Sequence, residues 1–289
     1  MADVAAADSA GSPRLIIHLG VQKTGSTSLH HFLTRNADQL ADRLVIRTPQ
    51  AGTPMRPLGR AAINFSLDPD RDSEARLDEA IATIREELPQ DGRTVLISHE
   101  NLAGAMPGNG GETRLFPMLP RIIAALDRAF APVPPVYAVY TRPMQAWRAS
   151  VWAQAVRTDG YGRTYAEFLD EMRDLPDWDD LAARLLAAAP GRMHLFDLTE
   201  ERDFARPGTQ LLRLAGLDDA AISGLRPLAS PSMQRLNAGA TEFMRRLNNL
   251  ALNPQARAKV ADLVARAQPL FNADHGADLR PGQRPEGTQ

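Results

Sequence analysis

One segment constrains this chain more than any other. Residues 15–19, Leu-Ile-Ile-His-Leu, make a short apolar run. Gly20-Val21-Gln22-Lys23-Thr24-Gly25-Ser26-Thr27-Ser28 follows, and from Thr27 to Arg35 the residues Leu29, Phe32 and Leu33 fall on one side of a helical wheel. That order predicts a buried strand, a glycine turn and an amphipathic helix, the repeating unit of a parallel sheet covered by helices. The same alternation continues downstream. Apolar runs at 94–98, 136–141 and 193–198 predict further buried strands, and 44–48 adds another. Helical patterns lie between them: 74–88, with acid in its first turn and Pro89 at its end; 164–173, opened by the capping box of Thr164 and Glu167; and 177–189, stopped by Pro190. The predicted fold is α/β, three layers (α/β/α) around a central parallel sheet. Its C-terminal part, from Gly208, is helical, with helical spacing at 241–250 and 254–271, and packs against the sheet. Residues 49–72, with Pro and Gly at close intervals, read as irregular; together with 103–117 they are the expected wall of a ligand site. The expectation is a single domain over 14–272, a disordered leader at 1–13 and a disordered tail at 273–289.

Composition narrows the function. Thirty-three basic against 35 acidic residues leave a net charge of −2, without the basic face that nucleic-acid binding requires. The absence of cysteine removes disulfides, thiolate nucleophiles and sulfur-ligated metals. The N-terminal residues lack the basic start and apolar run of a signal peptide, and no apolar run is long enough to span a bilayer. The sequence therefore reads as a soluble, cytoplasmic protein that acts on a small, specific ligand, with no nucleic-acid partner and no stable membrane insertion.

The glycine turn is where chemistry is expected. A strand-to-helix turn of this kind aims backbone N–H groups and the positive end of a helix dipole at one point, which suits a phosphate. Gly20 and Gly25 have the spacing of a Walker A loop, but that motif places Lys and then Ser or Thr after its second glycine. Here Ser26 and Thr27 follow directly and the lysine, Lys23, lies inside the loop. A displaced ammonium argues against a standard nucleotide triphosphatase. The run from His18 to Leu29 instead resembles the 5′-phosphosulfate loop of sulfotransferases that use 3′-phosphoadenosine-5′-phosphosulfate (PAPS), the bacterial members above all. The resemblance implies a P-loop-like fold in which Lys23 contacts the oxygen bridging phosphorus and sulfur. Gly25, Ser26, Thr27 and Ser28 then hold the 5′-phosphate.

Two further segments extend the resemblance. Arg142 ends the predicted strand 136–141 and Ser150 lies eight positions later on a predicted helix, a spacing that lets both converge on one phosphate. It is similar to the family's 3′-phosphate segment, although Trp152 stands where the family often has tyrosine. The strand 94–98 runs into His99-Glu100-Asn101-Leu102, and ligands of open parallel sheets bind beyond the carboxyl ends of the strands. Ser98 to Leu102 resembles a family segment whose acidic residue is the general base. Glu100 is the preferred base and His99 the second choice. His18, inside an apolar strand, reads as a core or loop-orienting histidine. Trp147, Trp152 and Trp178 read first as core aromatics. Arg235 is the nearest candidate for a third donor-binding segment.

The implied reaction is transfer of a sulfuryl group from PAPS to a hydroxyl of a carbohydrate, a lipid-linked alcohol or a small metabolite, giving adenosine 3′,5′-bisphosphate. No metal is expected, because a sulfuryl group carries less charge than a phosphoryl group. The alternatives are a P-loop small-molecule kinase, with Glu100 or Asp197 as the magnesium-associated acid, and a noncatalytic nucleotide-binding module.

Overall fold

The structure, a computed structural model, describes residues 15–89, 91–229 and 236–272. Five strands form one sheet: β1 (Leu15–Leu19), β2 (Leu44–Arg47), β3 (Thr94–His99), β4 (Val136–Thr141) and β5 (Met193–Asp197), in the order β2-β3-β1-β4-β5. All four pairings are parallel. Each strand coincides with a predicted apolar run to within a residue. The fold is α/β with a central all-parallel sheet, as the alternation of strand and helix patterns predicts.

The helices are α1 (Ser26–Arg35), α2 (Ala37–Leu40), α3 (Met55–Leu67), α4 (Arg71–Glu86), α5 (Leu119–Ala129), α6 (Met144–Gln154), α7 (Tyr165–Glu171), α8 (Trp178–Ala188), α9 (Thr209–Leu214), α10 (Asp219–Ser223), α11 (Ala238–Leu247) and α12 (Pro254–Arg266). One prediction fails. Residues 49–72 are not irregular, because α3 occupies their centre and α4 already begins at Arg71. Pro54 and Pro57 fall at the helix start, where the first N–H groups have no intrahelical acceptor in any case. Met55, Leu58, Ala62 and Phe65 then give α3 a buried face at helical spacing. The α4 boundary shifts from 74 to 71 because Asp70, rather than a later residue, accepts from Ser73 N–H as the cap, at 2.7 Å. The segment expected at 254–271 is α12 followed by a short 3-10 turn.

The described residues gather into two compact units, one of 15–151 and 171–229, the other of 152–170 and 236–272. The sheet belongs to the first. On one sheet face Ile16, Leu96, Ala138 and Tyr140 pack with Leu29, Phe32 and Leu33 of α1 and Leu211 and Leu212 of α9. Glu201, buried, locks α9 there: it accepts from the Tyr140 hydroxyl at 2.5 Å and from the N–H groups of Thr209 and Gln210 at 3.0 and 3.1 Å. On the opposite face the Tyr137 hydroxyl donates to Asp127 of α5 at 2.8 Å, and Arg192 pairs with the same carboxylate at 2.7 Å. In the second unit Val156, Ala240, Met244, Ala261 and Val264 form a small core. Its helix α7 opens with the predicted capping box, Thr164 N–H donating to Glu167 at 2.7 Å and Glu167 N–H to the Thr164 hydroxyl at 3.3 Å.

The α1 face also buries polar groups. Ser98 Oγ lies 2.8 Å from His18 Nδ1 and 2.9 Å from His30 Nε2, joining β3 to β1 and α1. On the other face the His99 ring sits against Gly59 of α3, where an added Cβ would lie 2.2 Å from Cε1 and Nε2. Burial is the main cause that lowers all three imidazoles, His18 to about 3 and His30 and His99 to about 4, from an ordinary value of 6.5. They fold as neutral rings. Between pH 6.5 and about 4 the unfolded chain therefore binds more protons than the folded one, so this contribution to stability is complete above pH 6.5 and is lost as pH falls towards 4. A tenfold difference in proton affinity between the unfolded and the folded chain is worth at most ~1.4 kcal/mol per histidine. The urea midpoint is expected to drop steadily from pH 7.5 to pH 5, with net proton uptake on unfolding at pH 5.5. A flat midpoint over that range would show that the rings take up protons without unfolding.

Candidate functional site

The carboxyl ends of β1, β3 and β4 lie side by side in the middle of the sheet, so the segments that follow them share one end of the fold. The first is the glycine turn. Gly20 N–H donates to the His99 carbonyl at 3.2 Å, and a Cβ at Gly20 would sit 2.6 Å from the Glu100 Cα. Only glycine allows the two backbones to approach so closely. The turn then passes through left-handed conformations at Lys23 (φ 69°) and Gly25 (φ 94°). For lysine that conformation is uncommon and costs free energy. The neighbours hold the loop in it. The Trp147 indole N–H donates to the Gln22 carbonyl at 2.8 Å, Arg142 to the Lys23 carbonyl at 3.2 Å and the Thr24 hydroxyl to the Val21 carbonyl at 2.6 Å. The Gln22 amide reaches across to the Gly104 carbonyl at 2.7 Å.

Helix α1 begins at Ser26 with Gly25 as its N-cap, so no cap side chain covers its N-terminus and no acid occupies its first turn. The contrast with other helices is direct: Asp70, Asp177 and Asp218 close the N-termini of α4, α8 and α10 with their carboxylates. The dipole and first N–H groups at the start of α1 thus have no side-chain cap, an arrangement that could accept an external anion. Ser26 is buried, and its hydroxyl has no hydrogen-bond partner among the described residues. Such a group fits an anion oxygen. Thr27 and Ser28 are half-buried on the same first turn.

After β4, Arg142 touches the glycine turn as described, and the Trp178 indole N–H donates to the Arg142 carbonyl at 2.6 Å. Ser150 is buried on α6, two turns further on. Trp147 is fully buried and meets Trp178 edge-on, with ring centroids 4.9 Å apart. Both tryptophans therefore support the backbone of the site from behind. Trp152 belongs to the second unit, where it donates to the Arg163 carbonyl at 3.2 Å. Arg235 lies outside the described residues.

After β3, Glu100 opens a 3-10 turn, its side chain 32 % exposed. Its Oε2 is buried, 3.5 Å from His30 Nδ1 and 3.9 Å from His99 Nδ1, without a hydrogen bond to either. His99 Nδ1 instead accepts from the Asn101 N–H at 3.1 Å, which leaves the proton of the neutral ring on Nε2. His99, Glu100 and Asn101 line a cleft of about 420 Å³ with Pro49, Arg56, Arg60 and Ile63. Lys23, Gly25, Ser26, Arg142 and Glu100 are thus carried by three adjoining strand ends. Sequence reading missed His30, Gln22 and the loop-holding role of Trp147. The bonds of all three cross 68 to 125 positions of chain, and no local pattern announces them. The one available signal for His30 was its place among Leu29, Phe32 and Leu33 on the inward side of α1.

No family model matches the sequence, and no curated protein matches it. Among solved structures the chain is similar to a sulfotransferase from Alicyclobacillus acidocaldarius, with 14 % identity over 91 % of this chain and 98 % of that one and a TM-score of 0.44. It is also similar to a thymidylate kinase from Ehrlichia chaffeensis, with 11 % identity over 71 % of this chain and all of that one and a TM-score of 0.38.

Proposed function

We propose that the protein is a sulfotransferase that moves the sulfuryl group of PAPS to an acceptor hydroxyl and releases adenosine 3′,5′-bisphosphate. One observation carries the reading. The lysine of the glycine turn precedes Gly25, in a left-handed conformation held from behind by Arg142 and Trp147, while the backbone of the same turn abuts Glu100. A cation inside the turn, with an acidic residue whose backbone abuts that turn, supplies the kinds of group that in-line transfer to a hydroxyl requires.

In this reading Gly25, Ser26, Thr27 and Ser28 hold the 5′-phosphate at the open start of α1, and Arg142 with Ser150 reads the 3′-phosphate. The acceptor oxygen forms a bond to sulfur as the bond from sulfur to the bridging oxygen breaks. The electron pair leaves on the phosphate of adenosine 3′,5′-bisphosphate, where Lys23 neutralises it, and the acceptor proton passes to the Glu100 carboxylate. Glu100 is favoured over His99 because the lone pair on His99 Nδ1 is taken by the Asn101 N–H and Nε2 is sealed against α3.

Lys23→Ala is expected to lower kcat about 10²–10³-fold, the scale for loss of one preorganised donor to developing charge. Adenosine 3′,5′-bisphosphate affinity by calorimetry should change much less, since the charge in question develops only during transfer. Full turnover in this variant would remove the lysine from the mechanism, and magnesium-dependent ATP turnover by the wild type would replace the whole reading with a kinase.

Glu100→Gln keeps the shape and cannot take the proton. It should bind adenosine 3′,5′-bisphosphate normally and lose about 10²–10⁴-fold in transfer rate. His99→Asn should cost less in rate at equal nucleotide affinity, and the reverse ranking moves the base to His99.

A further inference from the structure

The acceptor cleft carries charge that the transfer step does not use. Arg56 and Arg60 are one turn apart on α3 and line the same cleft as Glu100, with Pro49 and Ile63 as its apolar walls. Arg56 Nε donates to the Pro49 carbonyl at 3.2 Å, which fixes that guanidinium at the rim. Among the described residues no carboxylate pairs with either arginine, although both border the cleft that Glu100 lines. Like charges one helical turn apart repel each other, and an anion between them removes that cost. His99, the remaining titratable group on the cleft wall, is neutral. The cleft therefore holds two positive charges against one negative. A neutral alcohol would leave both guanidiniums idle, and its hydroxyl needs only Glu100.

We infer that the acceptor is an anion: a hydroxyl compound whose carboxylate, phosphate ester or sulfate ester is bound by Arg56 and Arg60 while its hydroxyl faces Glu100. This names the acceptor class of the proposed transfer and rests on that reading for the identity of the cleft. Guanidinium suits all three anions because its planar donors can pair two oxygens at once. Arg60 also borders a second cavity, between α3 and α4, so Arg56 is the residue specific to the Glu100 cleft.

The test uses matched acceptors that differ in one anionic group and keep the same hydroxyls: methyl glucuronide and its uronamide, 4-hydroxybenzoate and its amide, and methyl glucoside 6-phosphate and 6-sulfate against the 6-methyl ether. Binding is measured by calorimetry with adenosine 3′,5′-bisphosphate present, and transfer is measured from labelled PAPS, each for wild type and for the Arg56→Gln/Arg60→Gln double variant. In at least one pair the wild type should favour the anion by about tenfold or more, the scale of one charge-assisted contact. The double variant should erase that ratio through KM, with the neutral twin unaffected. Whichever anion gains most identifies the group. Both positions are exposed, so the variant should melt with the wild type. Equal binding of anion and twin in every pair overturns the inference, as does a double variant that weakens both twins alike. Charge-selective binding without sulfuryl transfer would instead support the anion site and remove the proposed reaction.

Discussion

Everything at the active end of this fold depends on one close approach, that of the Gly20 backbone to the backbone of Glu100. The two strands run parallel in register from Leu15 opposite Val95 to Leu19 opposite His99. Where they end, Gly20 N–H donates to the His99 carbonyl and a side chain at position 20 would overlap the Glu100 Cα. The contact sets the turn and the acid side by side with no intervening side chain. Any residue larger than glycine would push the two strand ends apart or displace the turn, and the start of α1 would move relative to Glu100. The left-handed Lys23 follows from the same constraint. A turn that must leave β1 at this distance from β3 and still start α1 at Ser26 has few conformations available, and the strain of one of them is offset by bonds from Arg142, Trp147 and Thr24.

The strands were legible because each is a short apolar run between polar turns, the pattern that full burial in a parallel sheet imposes. Helix α3 was not. Pro54, Pro57 and Gly59 crowd its first turn and read locally as a loop, yet each has a place there. The prolines sit where no intrahelical N–H bond is lost, and Gly59 leaves room for the His99 ring. The glycine turn, Arg142 and Glu100 were legible because strand ends and a motif spacing mark them. The supports behind them were not, since Gln22 to Gly104 and Trp147 to Gln22 depend on which segments the sheet order brings together. What a sequence shows of such a site is its front, the residues whose type and spacing fit a ligand. What holds those residues in place is tertiary.

The buried histidines separate a structural from a chemical use of the same residue type. His18 and His30 share the Ser98 hydroxyl on the α1 face, and His99 faces α3 on the other. All three are held neutral mainly by burial, so none adds positive charge close to Glu100 near neutral pH. The nearest ring, His30, keeps its Nδ1 3.5 Å from Glu100 Oε2. At that distance the two groups form no hydrogen bond. A base role for Glu100, as proposed, would benefit from such neutral company, because a charged partner would hold it as the carboxylate and weaken it as a base.

Helix α3 links these observations. Its inner face supplies Gly59 to seal His99, and its outer edge supplies Arg56 and Arg60 to the cleft that Glu100 lines. The packing that buries the histidine thereby also sets where the two arginines leave the helix backbone. The helix is anchored by Met55, Leu58, Ala62 and Phe65 in the core, so the positions that carry Arg56 and Arg60 are fixed beside the cleft. A mobile loop carrying the same two arginines could collapse onto the carboxylate and form an ion pair. Mounting them on a helix anchored in the core sets the positions of the two positive charges at the cleft in advance, so little ordering remains to be done when a charged group meets them.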